Sequence, residues 1–400
     1  MASRAGLGRR DFLRLGVGAV AASAMLGIPA LPSAAAGAAC AWPPGFKPSD
    51  YPNSGPLTTV TPQSNKPLIP IKARTLDAWR GERQKYLAAW RELIGAWPAT
   101  PALQPQVLSA EDMGAYVRYK VAYQTLSGDS FASTIKAWLL VPKGFSTPRP
   151  AIVTLHQTIP QGKDEPAGVN ASLPWYAFAD HYARRGYVTL APDAIGYGER
   201  TSGCYADTGY ELSDAWSILK DRPDMTLLGL MLLDITRAVD FLETRPEVDA
   251  SRVGVMGHSQ GGILTNGILG LEPRFKVGVA SCGYGIFRLD GFFDRWAGTQ
   301  SAYLPRMANY LVNRDALPID MLQLMALAAP TPHLVQTAMA DTIWTPTAVA
   351  PHPVVAKELK RVHKMYGSSD FVSLMEDGDH GWYPDAQAAA DVLFDRVLAP

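Results

Sequence analysis

The chain has 400 residues, 47% of them hydrophobic and 18% charged, which supplies apolar material for a large core and excludes disorder for the bulk of it. Lysine plus arginine and aspartate plus glutamate number 37 each, so the formal net charge is zero and no nucleic-acid footprint is predicted. Three cysteines are too few for a disulfide scaffold, and the seven histidines form no His-x-x-x-His pair, so neither a metal nor another cofactor is predicted.

Residues 1–39 are predicted to be an address label. Arg4, Arg9, Arg10 and Arg14 lead into an apolar run over 15–31, followed by small residues at 34–39. Gly8-Arg9-Arg10-Asp11-Phe12-Leu13 resembles the twin-arginine export signal, whose paired arginines are read by a receptor. Gly16, Gly18, Gly27, Pro29 and Pro32 weaken the run as a spanning helix. Cleavage between Ala34 and Cys40 is expected, leaving a periplasmic or secreted protein, with lipid attachment at Cys40 as the alternative. Loss of the four arginines and Asp11 in residues 1–36 leaves 33 basic against 36 acidic residues, a net charge of −3. The longest remaining apolar stretch, 227–233, is far shorter than the roughly 20 residues that span a bilayer, so no stable membrane insertion is predicted.

Residues 40–110 read as an N-terminal arm and a helix. The stretch 42–70 is rich in proline and polar residues. Over 75–97, Leu76, Trp79, Leu87, Trp90, Leu93 and Ile94 recur at helical spacing, and Gly95 and Pro98 stop the pattern. Its tryptophans are expected to pack on the domain beneath. From 111 to 400 the pattern changes. Strands are predicted over 116–124 and 134–141, and then apolar runs at 151–155, 187–190, 253–256, 277–280, 334–337 and 371–374 alternate with helices at 175–185, 225–244 and 354–366. Apolar strands separated by helices predict an α/β fold, a mostly parallel sheet covered on both faces, with an antiparallel start.

Chemistry concentrates at Gly257-His258-Ser259-Gln260-Gly261, between an apolar strand and a helix-compatible segment. A strand that turns sharply into a helix lifts Ser259 to the tip, flanking glycines relieve crowding, and the Gln260 N–H faces a developing oxyanion. A serine hydroxyl needs a base. His380 lies in the loop after the last predicted strand, whereas His363 sits among Lys360, Arg361 and Lys364 and reads as a solvated face. Asp341, after the strand 334–337, is the expected acid; Asp377, Asp379, Asp290 and Asp294 are its rivals. The second oxyanion donor is expected from the turn His156-Gln157-Thr158, at the N–H of Gln157 or Thr158. His156 and Asp193 read as loop braces.

These elements, with Pro192-Asp193 and Gly196-Tyr197-Gly198, look like the α/β-hydrolase superfamily from about Tyr116 to the C-terminus. Leu155-His156-Gln157-Thr158 followed by Gly162-Lys163-Asp164-Glu165 resembles bacterial acetyl-xylan-esterase-like and dienelactone-hydrolase-like proteins. The resemblance implies a serine esterase with Ser259 as nucleophile, His380 as base and Asp341 as acid. Its substrate would be a small-molecule or carbohydrate ester. Two departures matter: Gln157 stands where many relatives have His-Gly, and a serine replaces the cysteine of true dienelactone hydrolases. A peptidase of the same fold and a silent hydrolase-like binding protein are the competing readings. The segment 283–330 is expected to be a cap-like insert, whose Phe287, Phe292, Phe293, Trp296, Tyr303 and Tyr310 would either line a pocket or form a small core of their own. In an oxidising compartment Cys204 and Cys282 are candidates for a disulfide.

Overall fold

The computed structural model describes residues 66, 68–128, 130–169, 173–201, 218, 219, 222, 224–291, 293, 296, 303–311 and 313–400. The predicted export signal, Cys40, Cys204, Phe292, Asp294 and all of the arm before residue 66 lie outside them.

Nine strands form one sheet in the order β1-β2-β3-β5-β4-β6-β7-β8-β9. They are β1 Gln106–Asp112, β2 Tyr116–Gln124, β3 Thr134–Pro142, β4 Arg149–Leu155, β5 Val188–Pro192, β6 Val248–His258, β7 Phe275–Ser281, β8 His333–Ala338 and β9 Phe371–Glu376. Pairings from β1 through β3 to β5 are antiparallel, and those from β5 through β4 to β9 are parallel. The helices are α1 Leu76–Ile94, α2 Phe178–Arg184, α3 Leu227–Glu243, α4 Gln260–Ile268, α5 Met321–Ala326, α6 Pro346–Val349, α7 His352–Met365 and α8 Pro384–Leu398. Among the described residues no helix is long and apolar enough to cross a membrane.

Side chains that alternate along a strand feed two different cores. Val153 of β4, Val255 of β6 and Val335 of β8 join the larger core with α1, α3, α4 and α7. Their neighbours Ile152, Met256 and Leu334 join a second core with α2 and α8. Both faces are therefore covered, which is why these strands read as unbroken apolar runs.

Helix α1 starts at Thr75, whose hydroxyl accepts from the Ala78 N–H, and ends at Gly95 with φ 78°. Trp79 and Trp90 are fully buried in the larger core, and Trp90 Nε1 donates to Gly267 O of α4 at 3.0 Å. The arm's helix thus braces the helix that follows Ser259. Trp90→Ala is expected to cost about 3–5 kcal/mol, through lost packing and an orphaned carbonyl. Urea unfolding of the purified chain checks this, and a loss below about 1 kcal/mol would contradict it.

Three expectations change. Strand β1 was not predicted: all seven of its residues are exposed, so no alternation marks it, and only pairing to β2 makes it a strand. His363 is not on a solvated face but fully buried. It follows Leu359 by four residues on the stripe of α7 that carries Val355, Ala356 and Val362, and the charged neighbours occupy the other side. The insert's Phe287, Phe293, Trp296 and Tyr303 are buried in the main core rather than in a separate one, and Trp296 stacks on Trp344 at 5.6 Å.

Candidate active site

Ser259 sits between β6 and α4 with φ 54° and ψ −115°, a conformation L-residues avoid. Backbone contacts on all sides hold it there. The Ser259 N–H donates to Ser281 O of β7 at 2.8 Å, and Ile263 N donates to Ser259 O at 2.9 Å. A Cβ on Gly257 would lie 2.5 Å from the Gly261 carbonyl carbon, and one on Gly261 would lie 2.3 Å from Leu155 O. The turn is therefore packed backbone against backbone, with no room for side chains at either position. As the first residue of α4, Gln260 keeps an N–H without an intrahelical acceptor. Its side-chain Nε2 donates to the hydroxyls of Tyr197 and Tyr303.

His380 comes from the loop after β9 and Asp341 from the loop after β8. His380 Nδ1 donates to Asp341 Oδ2 at 2.7 Å. The other carboxylate oxygen of Asp341 accepts from Ile343 N at 2.8 Å and Trp344 N at 3.1 Å, so the acid is fully committed to orienting the ring. This places the imidazole proton on Nδ1 and leaves Nε2 as a base. The rival Asp379 accepts from Thr342 N and Oγ1 at 2.9 and 2.7 Å and from His380 N at 2.7 Å, tying the two loops together. Asp290 is occupied by Trp296 Nε1 at 3.2 Å.

His380 packs against His258, the residue before Ser259, with ring centroids 4.9 Å apart. Ser259, His380 and Asp341 are thus brought to one edge of the sheet, beyond the C-terminal ends of β6, β9 and β8. The predicted serine–histidine hydrogen bond is not formed: His380 Nε2 is buried without a partner. Such contacts commonly tighten only when substrate is bound. His258 itself is buried, bonds Ser281 Oγ through Nδ1 at 2.8 Å, and is held far below the ordinary imidazole range by burial.

The turn after β4 lies against the same helix end. Gln157 N donates to Glu165 Oε2 at 3.2 Å, so of the two candidate donors it is already engaged. Among the described residues nothing accepts from the Thr158 N–H. The two expected braces sit as such. His156 Nε2 accepts from Ala194 N at 3.0 Å while Nδ1 faces Gln157 O at 2.6 Å, and burial lowers its pKa to about 4. Asp193 accepts from Lys163 N at 2.7 Å, Lys163 Nζ at 2.8 Å and Glu199 N at 2.9 Å.

Two neighbours were missed in the sequence. Glu165 lies eight residues beyond Gln157, with no local pattern to tie them. Cys282 was considered only for a disulfide; here it is a buried free thiol within 4.8 Å of the ligating atoms of Asp341 and His380. Burial pushes that thiol up to about 12, and Asp341 and His380 are spent on each other, so the trio is a poor donor set for a cation. The aromatics Tyr176 and Trp382 flank the site. Tyr176 stacks on His258 at 4.7 Å, and the adjacent Trp175 is 55% exposed.

The acetyl xylan esterase family (AXE1) matches residues 98–286, and the prolyl oligopeptidase family matches residues 230–389. The protein YtaP of Bacillus subtilis is 25% identical over 295 residues, covering 73% of this chain and 90% of that one. Carbohydrate esterase MZ0003, from an unknown prokaryote, is 29% identical over 117 residues, 26% of each chain. Among solved structures, a glucuronoyl esterase from Solibacter usitatus superposes with a TM-score of 0.64 at 18% identity, over 84% of this chain and 98% of that one. A crystal structure from Bacteroides fragilis gives 0.57 at 16% identity, over 75% and 76%. At such identities the structures speak for the fold.

Proposed function

We propose that this chain, a carboxylic ester hydrolase of the α/β-hydrolase fold resembling acetyl xylan esterases, works through an acyl-enzyme on Ser259. The reading rests above all on the His380–Asp341 hydrogen bond of 2.7 Å beside the strained Ser259 turn. Ser259 Oγ attacks the ester carbonyl carbon as His380 Nε2 takes its proton. Asp341 holds the ring and stabilises the imidazolium that forms. The oxyanion is received by the N–H groups of Gln260 and Thr158. Collapse of the tetrahedral intermediate breaks the bond to the alcohol, which leaves with the proton from His380. Water, deprotonated by the same nitrogen, then attacks the acyl-enzyme and frees the acid and Ser259.

The proposed substrates are acetyl or other small acyl esters of carbohydrates, or aryl esters, met outside the cytoplasm after export. The acetyl xylan esterase match supports a sugar ester, and exposed Trp175 offers a flat apolar face beside the site. The prolyl oligopeptidase match favours a second reading, amide cleavage by the same groups. A fluorophosphonate probe followed by peptide mapping tests the nucleophile. Acetylated xylan, aryl esters graded by acyl length and peptide anilides test the substrate. Labelling of Ser259 with ester turnover well above anilide turnover is expected; label elsewhere, or faster anilide cleavage, would overturn the proposal.

A further inference from the structure

Gln157 is held at every polar group it has except its amide oxygen. Its carbonyl oxygen lies 2.6 Å from His156 Nδ1, its N–H donates to Glu165 Oε2 at 3.2 Å, and its side-chain Nε2 donates to Glu165 Oε1 at 2.5 Å. Because Ala194 N donates to His156 Nε2, the imidazole proton is on Nδ1, and the contact to Gln157 O is a hydrogen bond with that oxygen accepting. A trans peptide is planar, so pinning the Gln157 carbonyl toward His156 sends the Thr158 N–H the opposite way. The same turn meets the nucleophile helix backbone to backbone, at the Leu155 O–Gly261 contact, so the N–H groups of Thr158 and Gln260 belong to one packed unit.

Glu165 is an expensive residue to place here. It is 2% exposed, and its hydrogen bonds are to Gln157 rather than to a cation. Burial pushes its carboxyl up to about 7 against the pull of the two Gln157 donors. Its position is set from below: it closes the short turn Gly162–Asp164, which the buried Lys163–Asp193 ion pair, 2.8 Å, fixes to the loop after β5. Fold maintenance alone does not call for a carboxylate in this spot, since an apolar side chain of the same size would bury at lower cost.

We infer that Glu165 is a positioning residue for ester hydrolysis: it clamps Gln157 so that the Gln157–Thr158 peptide presents its N–H, beside that of Gln260, to the oxyanion. The inference rests on the acyl-enzyme reading above. It assigns the second donor to Thr158 and gives Glu165 a role through Gln157, without contact to substrate.

The test uses the purified full chain with a small aryl acetate as substrate and an alkylboronic acid as the tetrahedral probe. Glu165→Met keeps the volume and removes both acceptors. It is expected to lower kcat by about 10–100-fold, less than outright loss of one oxyanion donor because the N–H is misaimed rather than removed, with KM changed less than about threefold. The boronic acid should bind more weakly by a similar factor, because it also places an oxyanion in the hole. Glu165→Gln, which keeps the shape and one acceptor, should fall between the Met variant and wild type. Gln157→Ala, at a half-buried position, tests the clamp from the other side should the Met variant not fold, and should show the same split between kcat and KM. A folded variant, Met or Ala, with kcat within twofold of wild type would overturn the inference. So would lost kcat with unchanged boronic acid affinity, or a Gln variant slower than the Met variant. Ser259→Ala run alongside separates the two levels: if it keeps activity, the acyl-enzyme reading fails whatever Glu165 does.

Discussion

Ser259→Ala is expected to lower kcat/KM for ester hydrolysis by about 10⁴-fold or more, with the fold intact. The magnitude follows from removing the proposed nucleophile of a group that acts as a unit. Gln260 and Thr158 N–H groups and His380 remain, but the covalent route is closed. The stability expectation has a separate origin. The strain at φ 54° is a backbone property that alanine shares with serine, and the turn is fixed by bonds from Ser259 N and to Ser259 O that the substitution leaves in place. Thermal melts of variant and wild type should therefore superpose within a few degrees. Residual turnover within tenfold of wild type would remove Ser259 from the mechanism.

Acid should unfold the protein well before the ordinary carboxylate range is reached. His156, His352 and His363 are held down to about 4 and His333 to about 3, each chiefly by burial. All four are neutral in the folded chain, whereas the unfolded chain protonates them near 6.5. Their folded values are depressed, so the stability they allow is complete above about 6.5 and falls as the pH drops toward 4. By pH 5 each forgoes about 2 kcal/mol, on the order of 8 kcal/mol together. Glu165, raised to about 7, binds its proton first in the folded state and returns about 2–3 kcal/mol over the same interval. Burial also raises Asp193, Asp234 and Asp320, but these are paired with Lys163, Arg200 and Arg288, and protonating them would strand a buried cation. The remainder, roughly 5 kcal/mol, is the scale of a whole domain's stability. Urea midpoints at pH 8, 6.5 and 5 should decline steeply over the last interval. His333→Leu should flatten that decline, since both ring nitrogens of His333 are without partners and nothing is lost by removing them. A midpoint unchanged from pH 8 to 5 would refute the account.

Much of this molecule is legible in its residues, for reasons that differ from place to place. Strands such as 151–155 and 253–256 announce themselves because both of their faces are covered. The elbow around Ser259 is legible because backbone crowding there admits only glycine at 257 and 261. Asp341 and His380 could be read from their places after successive strands. Strand β1 could not, because its residues bury nothing and its existence depends on a partner. His363 was misread because charge on three neighbours was weighed above its four-residue spacing from Leu359. The Glu165–Gln157 pairing depends on how the chain reverses through Gly162, where φ is 52° and a Cβ would lie 2.2 Å from Asp193 Oδ1. No periodicity encodes that.

Strand β1 has one more implication, for molecules in a crowded solution. It leaves a row of amide and carbonyl groups at the sheet's rim, with Val107 51% and Leu108 44% exposed, an invitation for another chain to add itself. The irregularity between Val107 and Ser109 breaks the even spacing such zipping requires, and Glu111 and Asp112 at the strand's far end are already paired with Arg118 and Lys143. Two copies meeting rim to rim would lose register at that irregularity.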